Sequence, residues 1–270
     1  MTHHDLPLVI DFHVHMLDDE VYKASEGKTV TSGFGKGDGT MQRQRTGGMF
    51  GKMFSPEEQI ADMNERGIDR SVISASTVIQ GTSWADPQTD LALCRKANDR
   101  TAAWVAQYPD RFIGSFVLPL QDVARSMEEF KRCVNTLNLR VANISSNYQG
   151  HYLGDARYAP FWEGVMANDL VAWIHPEGIR DPWFQNYALW NSAGQSIEEA
   201  KVMCSLIYEG VPTRYPGVKI IMAHGGGYFP HYMGRLDRNT GNRPATVKNT
   251  GGKKPSEFLR SFYYDTCVYD

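Results

Sequence analysis

Short apolar runs alternate along this chain with longer segments in which apolar residues recur at helical spacing. Runs of strand length and composition lie at about residues 9–15, 71–76, 112–118, 140–145, 171–174, 218–223 and 262–266. Segments with helical periodicity lie between most of them, at about residues 55–66, 87–106, 122–137, 159–168 and 196–209. The first of these segments also has clear ends, since Ser55 suits an N-cap, Pro56 the first helical position and Gly67 a helix stop.

This alternation predicts a parallel sheet with right-handed crossovers. A chain of 270 residues has the usual length of one (β/α)8 barrel, so we expect a single α/β TIM-barrel domain over residues 1–270. An open doubly wound sheet is the alternative. Two polar, glycine-rich stretches at about 24–54 and 236–257 are expected to be loop insertions. A closed barrel needs an eighth strand, and the chain ends four residues after the seventh predicted strand, so either the natural protein continues or the barrel is incomplete.

Composition and charge exclude several classes of protein. Hydrophobic residues make up 41% and charged residues 22%, which is typical of a globular domain and not of a disordered chain. The net charge of −3 provides no basic surface for nucleic acid. No apolar run is long enough to span a membrane, and the polar first residues do not resemble a signal peptide. Four cysteines without CxxC spacing favour free thiols, and we expect a cytoplasmic protein.

Histidines provide the strongest chemical signal. His13 and His15 lie in the first apolar run, where alternate side chains point to the same side and, in a barrel, to the interior. His175 follows the fifth run, at the strand end where barrel active sites lie. Three imidazoles are a recurrent zinc ligand set, so we predict a metal ion on His13, His15 and His175. A pair of surface histidines on an edge strand is the alternative for the first two.

Two residues at later strand ends are candidates for catalysis. His224 ends the sixth run and precedes three glycines, which permit close backbone approach and favour a catalytic histidine over an incidental one in a flexible turn. Asp265 ends the seventh run, where a carboxylate orients a ligand histidine or caps a following helix. Among the aromatic residues, Trp84 and Tyr228 lie near predicted strand ends and are candidates for binding a planar substrate, although most aromatics belong to the core.

Together these motifs resemble the amidohydrolase superfamily, in the branch of aminocarboxymuconate-semialdehyde decarboxylase and the resorcylate and carboxyvanillate decarboxylases. The most specific match is the run at residues 224–229, followed by Gly234 and Arg235. The resemblance implies one divalent metal ion, expected to be Zn²⁺, on the three predicted ligands, with His224 as the catalytic histidine. It also implies that Arg235 binds the substrate carboxylate of a neighbouring subunit, and therefore a homodimer. The absence of lysine from 140–145 favours one metal over two.

The function implied is non-oxidative, metal-dependent decarboxylation of an aromatic or muconate-type carboxylic acid. Hydrolysis or hydration of a lactone or an unsaturated acid is the alternative, because the same site could perform it. A non-catalytic relative that keeps the barrel as a scaffold is the third possibility. The family's other carboxylate-binding arginine falls near Gln59, and Arg43 or Arg45 is the candidate replacement, so the substrate stays open.

Overall fold

The computed structural model describes residues 7–29 and 48–268, so Arg43, Arg45 and much of the predicted insertion at 24–54 lie outside it. The strands are β1 (Ile10–Met16), β2 (Arg70–Ala75), β3 (Phe112–Phe116), β4 (Val141–Ile144), β5 (Asn147–Tyr148), β6 (His151–Tyr152), β7 (Val171–Ile174), β8 (Lys219–Met222) and β9 (Phe262–Tyr264). The α-helices are α1 (Asp19–Ser25), α2 (Gly48–Lys52), α3 (Pro56–Arg66), α4 (Thr77–Gln80), α5 (Pro87–Gln107), α6 (Val123–Asn135), α7 (Ala159–Ala167), α8 (Gln195–Tyr208), α9 (Val211–Arg214) and α10 (Met233–Asn242).

Seven strands form one parallel sheet in the order β1-β2-β3-β4-β7-β8-β9. Each new strand joins the same edge, as in a barrel and unlike a doubly wound sheet, whose strand order reverses. His13 on β1 contacts Asp265, which follows β9, at 2.7 Å, so the sheet curls until its first and last strands meet through side chains. The α/β barrel-type fold predicted from the sequence is therefore confirmed. The eighth strand of a closed barrel stays a prediction.

Helices cover the outside of the curled sheet and bury most of the core. The largest hydrophobic cluster lies between the outward face of the strands and helices such as α6, α7 and α8, with Phe130, Trp162 and Leu206 among its buried members. A smaller cluster fills the inside of the curve, where Val72 and Trp173 are fully buried. This inner layer packs beneath the carboxyl ends of the strands. Because the strands are parallel, the residues that follow them lie at one rim of the curled sheet. In the described residues no helix is both long and apolar enough to cross a membrane.

The segment predicted as a loop at 236–257 differs in the structure. Helix α10 continues through Asn242, and short 3₁₀ turns occupy Pro244–Thr250 and Pro255–Ser261. Its glycine and asparagine residues have poor helix propensity, but packing of Met233 and Leu236 against the main core outweighs that preference. The sequence interpretation also missed the small antiparallel hairpin of β5 and β6.

Candidate metal centre

Four imidazoles converge at the rim of the curled sheet. From His13, the ring centroids of His15, His175 and His224 lie at 5.3, 5.1 and 4.9 Å. The His175 ring is 5.0 Å from both His15 and His224. One ring nitrogen of each of His13, His175 and His224 lies within 4.8 Å of the other two. The structure thus brings together all four histidines singled out in the sequence, but the tightest group of nitrogens contains His224 in place of His15.

The first strand is irregular where it presents these side chains. The pairing of β1 with β2 shifts register between Asp11 and Val14, and Asp11 Oδ1 accepts the backbone N–H of His13 at 2.9 Å. Irregularities of this kind redirect a side chain relative to a regular strand and are common beside active sites. The His13 ring consequently points inward and sideways, toward the last strand as well as toward His175.

Carboxylates contact the Nδ1 atoms of two of the rings. His13 Nδ1 lies 2.7 Å from Asp265 Oδ2, and His224 Nδ1 makes a short contact with Glu199 Oε1. Because a carboxylate accepts hydrogen bonds, Nδ1–H is the donor in both pairs and Nε2 is the nitrogen left for a metal or a substrate. Asp265 therefore orients a histidine of the cluster, which was one of the two roles left open from the sequence.

Neutral oxygens hold the other two rings in the same way. His175 Nδ1 lies 2.9 Å from the carbonyl oxygen of Pro176 and 3.2 Å from Thr77 Oγ1. His15 Nδ1 lies 3.4 Å from Ser74 Oγ, whose own proton goes to the Val14 carbonyl. All four imidazoles thus have an oxygen at Nδ1. Metal-binding histidines usually show this arrangement, since the second hydrogen bond fixes the ring and its tautomer.

Burial and mutual repulsion keep the inner rings uncharged. Burial lowers the pKa of His15 to about 3, with a further contribution from His13. Burial also holds the pKa of His175 well below its ordinary value, again helped by a neighbouring imidazole, His15. Neutral imidazole is the form that binds a metal ion, so these groups are ready ligands at neutral pH.

Contacts between histidines and carboxylates, as well as burial, shift the pKa values of His224 and Asp265. Burial lowers the pKa of His224, but the hydrogen bond and charge of Glu199 outweigh it, and the net pKa lies above the ordinary value. Burial raises the pKa of Glu199 to about 7. Burial also acts to raise the pKa of Asp265, but the hydrogen bond and charge of His13 bring it below its usual range. His224 is therefore better able to carry a proton than the inner rings of His15 and His175.

This donor set fits a single divalent cation. Neutral imidazoles with their lone pairs turned toward one another repel unless a cation lies between them, and three or four such nitrogens suit Zn²⁺ or a similar ion. The oxygen at each Nδ1 supplies the outer hydrogen bonds that such sites require. His13, His15, His175 and His224 all remain available as ligands in this geometry.

The three predicted substrate-binding residues do not belong to the group of rings that converge. Arg235 is exposed on α10. Tyr228 follows the glycine turn and is 49% exposed. The Trp84 indole lies 3.4 Å from Ser25 Oγ, and the Lys28 ammonium lies 3.8 Å from its ring centre. The roles of all three stay predictions.

Two residues of the site were missed from the sequence. Glu199 had a detectable signal, because helical spacing places it on the same face as Val202 and Leu206, where an acidic residue is unusual. Trp173 had none, because a tryptophan inside an apolar strand is expected in any core. Its ring lies 5.4 Å from that of His13 and forms the floor of the cluster.

Comparisons with known proteins agree with this geometry. The family model described as Amidohydrolase matches residues 10–269. A 2-amino-3-carboxymuconate-6-semialdehyde decarboxylase from Dictyostelium discoideum is 34% identical over 218 residues, which cover 80% of this chain and 60% of that protein. The chain therefore spans less than two thirds of the length of this relative.

Solved structures show the same fold. A 5-carboxyvanillate decarboxylase from Sphingomonas paucimobilis superposes with a TM-score of 0.80 at 27% identity, over 95% of this chain and 80% of that one. A dihydroxybenzoic acid decarboxylase from a Polaromonas species, solved with manganese and the inhibitor 2-nitroresorcinol, has a TM-score of 0.74 at 25% identity. That match covers 96% of this chain and 78% of the other.

Proposed function

Because this chain belongs to the amidohydrolase family, we propose that it is a metal-dependent decarboxylase of an aromatic or muconate-type carboxylic acid. The observation that carries the proposal is the convergence of four imidazoles, each with an oxygen at Nδ1, at the rim of the sheet. The similar proteins described above are named for the loss of CO2 from acids of this class.

We propose one divalent ion held by His13, His15 and His175, with Zn²⁺ as the expected metal because imidazole nitrogen suits it. Mn²⁺ is the competing candidate, since a similar structure contains manganese. When bound, a divalent ion would polarise the oxygen donors of the substrate and stabilise the negative charge that develops as CO2 departs. Asp265 keeps the His13 ring in the tautomer that such binding needs.

His224 is the proposed proton carrier. Decarboxylation breaks the bond between the carboxyl carbon and the substrate, and the electron pair stays on the substrate carbon, which must then take up a proton. His224 faces the cluster, is partly exposed, and has a pKa above its ordinary value, so its ring takes up a proton more readily than a free imidazole and can deliver it from Nε2.

Substrate recognition and assembly complete the proposal. In the described part of the chain, no hydrogen bond or ion pair engages the exposed Arg235 guanidinium, which supports its use on a carboxylate in a neighbouring subunit. This arrangement requires a homodimer. Trp84 and Tyr228 are proposed contacts for a planar substrate, and a cytoplasmic location stays a prediction.

The test strips the purified chain of metal with a chelator, reloads it with Zn²⁺ or Mn²⁺, and measures both CO2 and hydration products. The substrates are ortho-hydroxy aromatic acids, muconate-type acids and a lactone. We expect metal-dependent CO2 release that His175→Ala abolishes and His151→Ala, at an exposed histidine, leaves intact. Hydrolysis or hydration without CO2 would favour the alternative activity. A chain that binds no metal would contradict both.

A further inference from the structure

Glu199 is a fully buried carboxylate that reaches the histidine cluster from α8. Its side chain has no exposed surface, and its neighbours on that helix face, Val202, Met203 and Leu206, are also fully buried. Removing a carboxylate from water costs several kcal/mol unless new partners replace the water. An apolar residue would serve packing alone at least as well, so the contacts of this carboxylate indicate its role.

Those contacts lead to one imidazole. Glu199 Oε1 faces His224 Nδ1, and Glu199 Oε2 has no hydrogen-bond partner in the described parts of the chain. The adjacent Glu198 is different, because Tyr152 and Lys201 share its carboxylate. Within the same described residues no lysine or arginine pairs with Glu199, so its interaction is committed to His224.

Glycines in the turn after β8 allow this contact to form. Residues 224–227 all have positive φ, between 47° and 79°. A Cβ on Gly227 would lie 2.3 Å from the Ser196 carbonyl oxygen and 2.8 Å from Glu199 Oε2. The turn therefore packs against α8 at a distance that only glycine permits, and this close packing brings Glu199 to His224.

We propose that Glu199 is a positioning residue for His224. By accepting the Nδ1–H hydrogen bond, it fixes the tautomer and direction of the ring, so that Nε2 faces His13 and His175. The catalytic role of His224 itself rests on the function proposed above. In serine hydrolases a buried carboxylate that holds a catalytic histidine in this way contributes about 10⁴ in kcat.

The test compares two variants that both remove the charge. Glu199→Gln keeps the size and shape of the side chain but can turn its NH2 group toward Nδ1, whereas Glu199→Leu has a similar size but no hydrogen-bonding group. The leucine variant removes a carboxylate that is costly to bury, and the His224 ring left without its partner can stay neutral, so no unpaired charge remains buried. Glu199→Gln, which keeps the size of the side chain, provides the test if the leucine variant does not fold. Glu209→Gln, at an exposed carboxylate just after the same helix, is the matched control.

The first measurement is the tautomer of each imidazole in the full, Zn²⁺-loaded chain, from ¹⁵N spectra of histidine-labelled protein. With the His224 ring neutral, we expect it to be protonated at Nδ1 alone in the wild type and in Glu209→Gln. In Glu199→Leu and Glu199→Gln that single tautomer should be lost, while the signals of His13 and His175 stay unchanged. A His224 ring that keeps the Nδ1–H tautomer in Glu199→Leu would overturn the inference.

The second measurement is the kinetics of CO2 release. We expect kcat to fall by about 10²–10⁴ in both Glu199→Gln and Glu199→Leu, with KM within about twofold of the wild type. A kcat in Glu199→Gln within about threefold of the wild type would indicate a purely structural role and overturn the inference. If the wild type releases no CO2 from any acid, the proposed function fails, and the tautomer comparison alone decides the role of Glu199.

Discussion

Asp90 provides a sharp test of the electrostatics of this fold, because it is a buried carboxyl away from the histidine cluster. It lies in the first turn of α5 and is 1% exposed. Gln121 Nε2 donates to its Oδ2 at 2.7 Å, and the Cys94 thiol donates to its Oδ1 at 3.4 Å. Burial raises the pKa of Asp90 to about 6, since these hydrogen bonds do not compensate for the lost water and the charge of Glu177 adds to the shift.

The raised pKa makes ionised Asp90 a cost to the native state. In the unfolded chain the carboxyl loses its proton near pH 3.8, whereas in the native state it does so near pH 6. The free energy of unfolding therefore falls as the pH rises through this interval, and it levels off above pH 6. A difference of about two pKa units corresponds to roughly 3 kcal/mol at pH 7, with about 2 kcal/mol developing between pH 4 and pH 7.

Asp90→Asn should remove this cost. The amide oxygen can still accept from Gln121, and the amide nitrogen would face the Cys94 sulfur. We expect the variant to gain about 2 kcal/mol over the wild type between pH 4 and pH 7, from urea unfolding of the metal-free chain at several pH values. Asp110→Asn, at an exposed position, is the control and should run parallel to the wild type. A constant difference between Asp90→Asn and the wild type would refute the reasoning.

Three further predictions concern the site. Asp265→Asn should weaken metal binding by about 10- to 100-fold, because an amide can turn its NH2 group toward His13 Nδ1 and favour the wrong tautomer. Calorimetric titration with Zn²⁺ measures the affinity. An unchanged affinity would show that Asp265 does not set the His13 tautomer. Gly227→Ala should lower the free energy of unfolding by several kcal/mol, because its Cβ meets the Ser196 carbonyl at 2.3 Å. Gly217 also has a positive φ, of +88°, but an added Cβ would meet open space, so Gly217→Ala should lower the free energy of unfolding by only about 1–2 kcal/mol. Equal losses of stability in the two variants would mean that the close packing of the glycine turn is not needed. Arg235→Ala should raise KM by about 10- to 100-fold with little change in kcat, since a charged hydrogen bond to a carboxylate is worth about 1.5–3 kcal/mol. Arg235→Lys should restore part of this loss, and an unchanged KM in Arg235→Ala would remove Arg235 from substrate binding.

The local sequence pattern was sufficient to predict the strands of the main sheet and to single out the four histidines. The apolar runs predicted all seven strands of the main sheet, because alternation and run length are properties of a few neighbouring residues. In a parallel barrel all strand ends share one rim, so a histidine at the end of a run is already assigned to the site without knowledge of packing. His175 and His224 follow from that rule, and His13 and His15 follow from the alternation of side chains along the first run.

Packing between elements determined the contacts of Glu199 and Asp265 and the formation of helix α10. Glu199 meets His224 because a glycine turn lets α8 approach the backbone closely, and Asp265 meets His13 because the sheet curls through seven strands. Helix α10 forms within a stretch of poor helix formers because two of its side chains reach the core. These outcomes depend on contacts between residues tens to hundreds of positions apart. A periodic pattern records which way a side chain points, whereas its partner is set by the angle and distance at which whole elements pack.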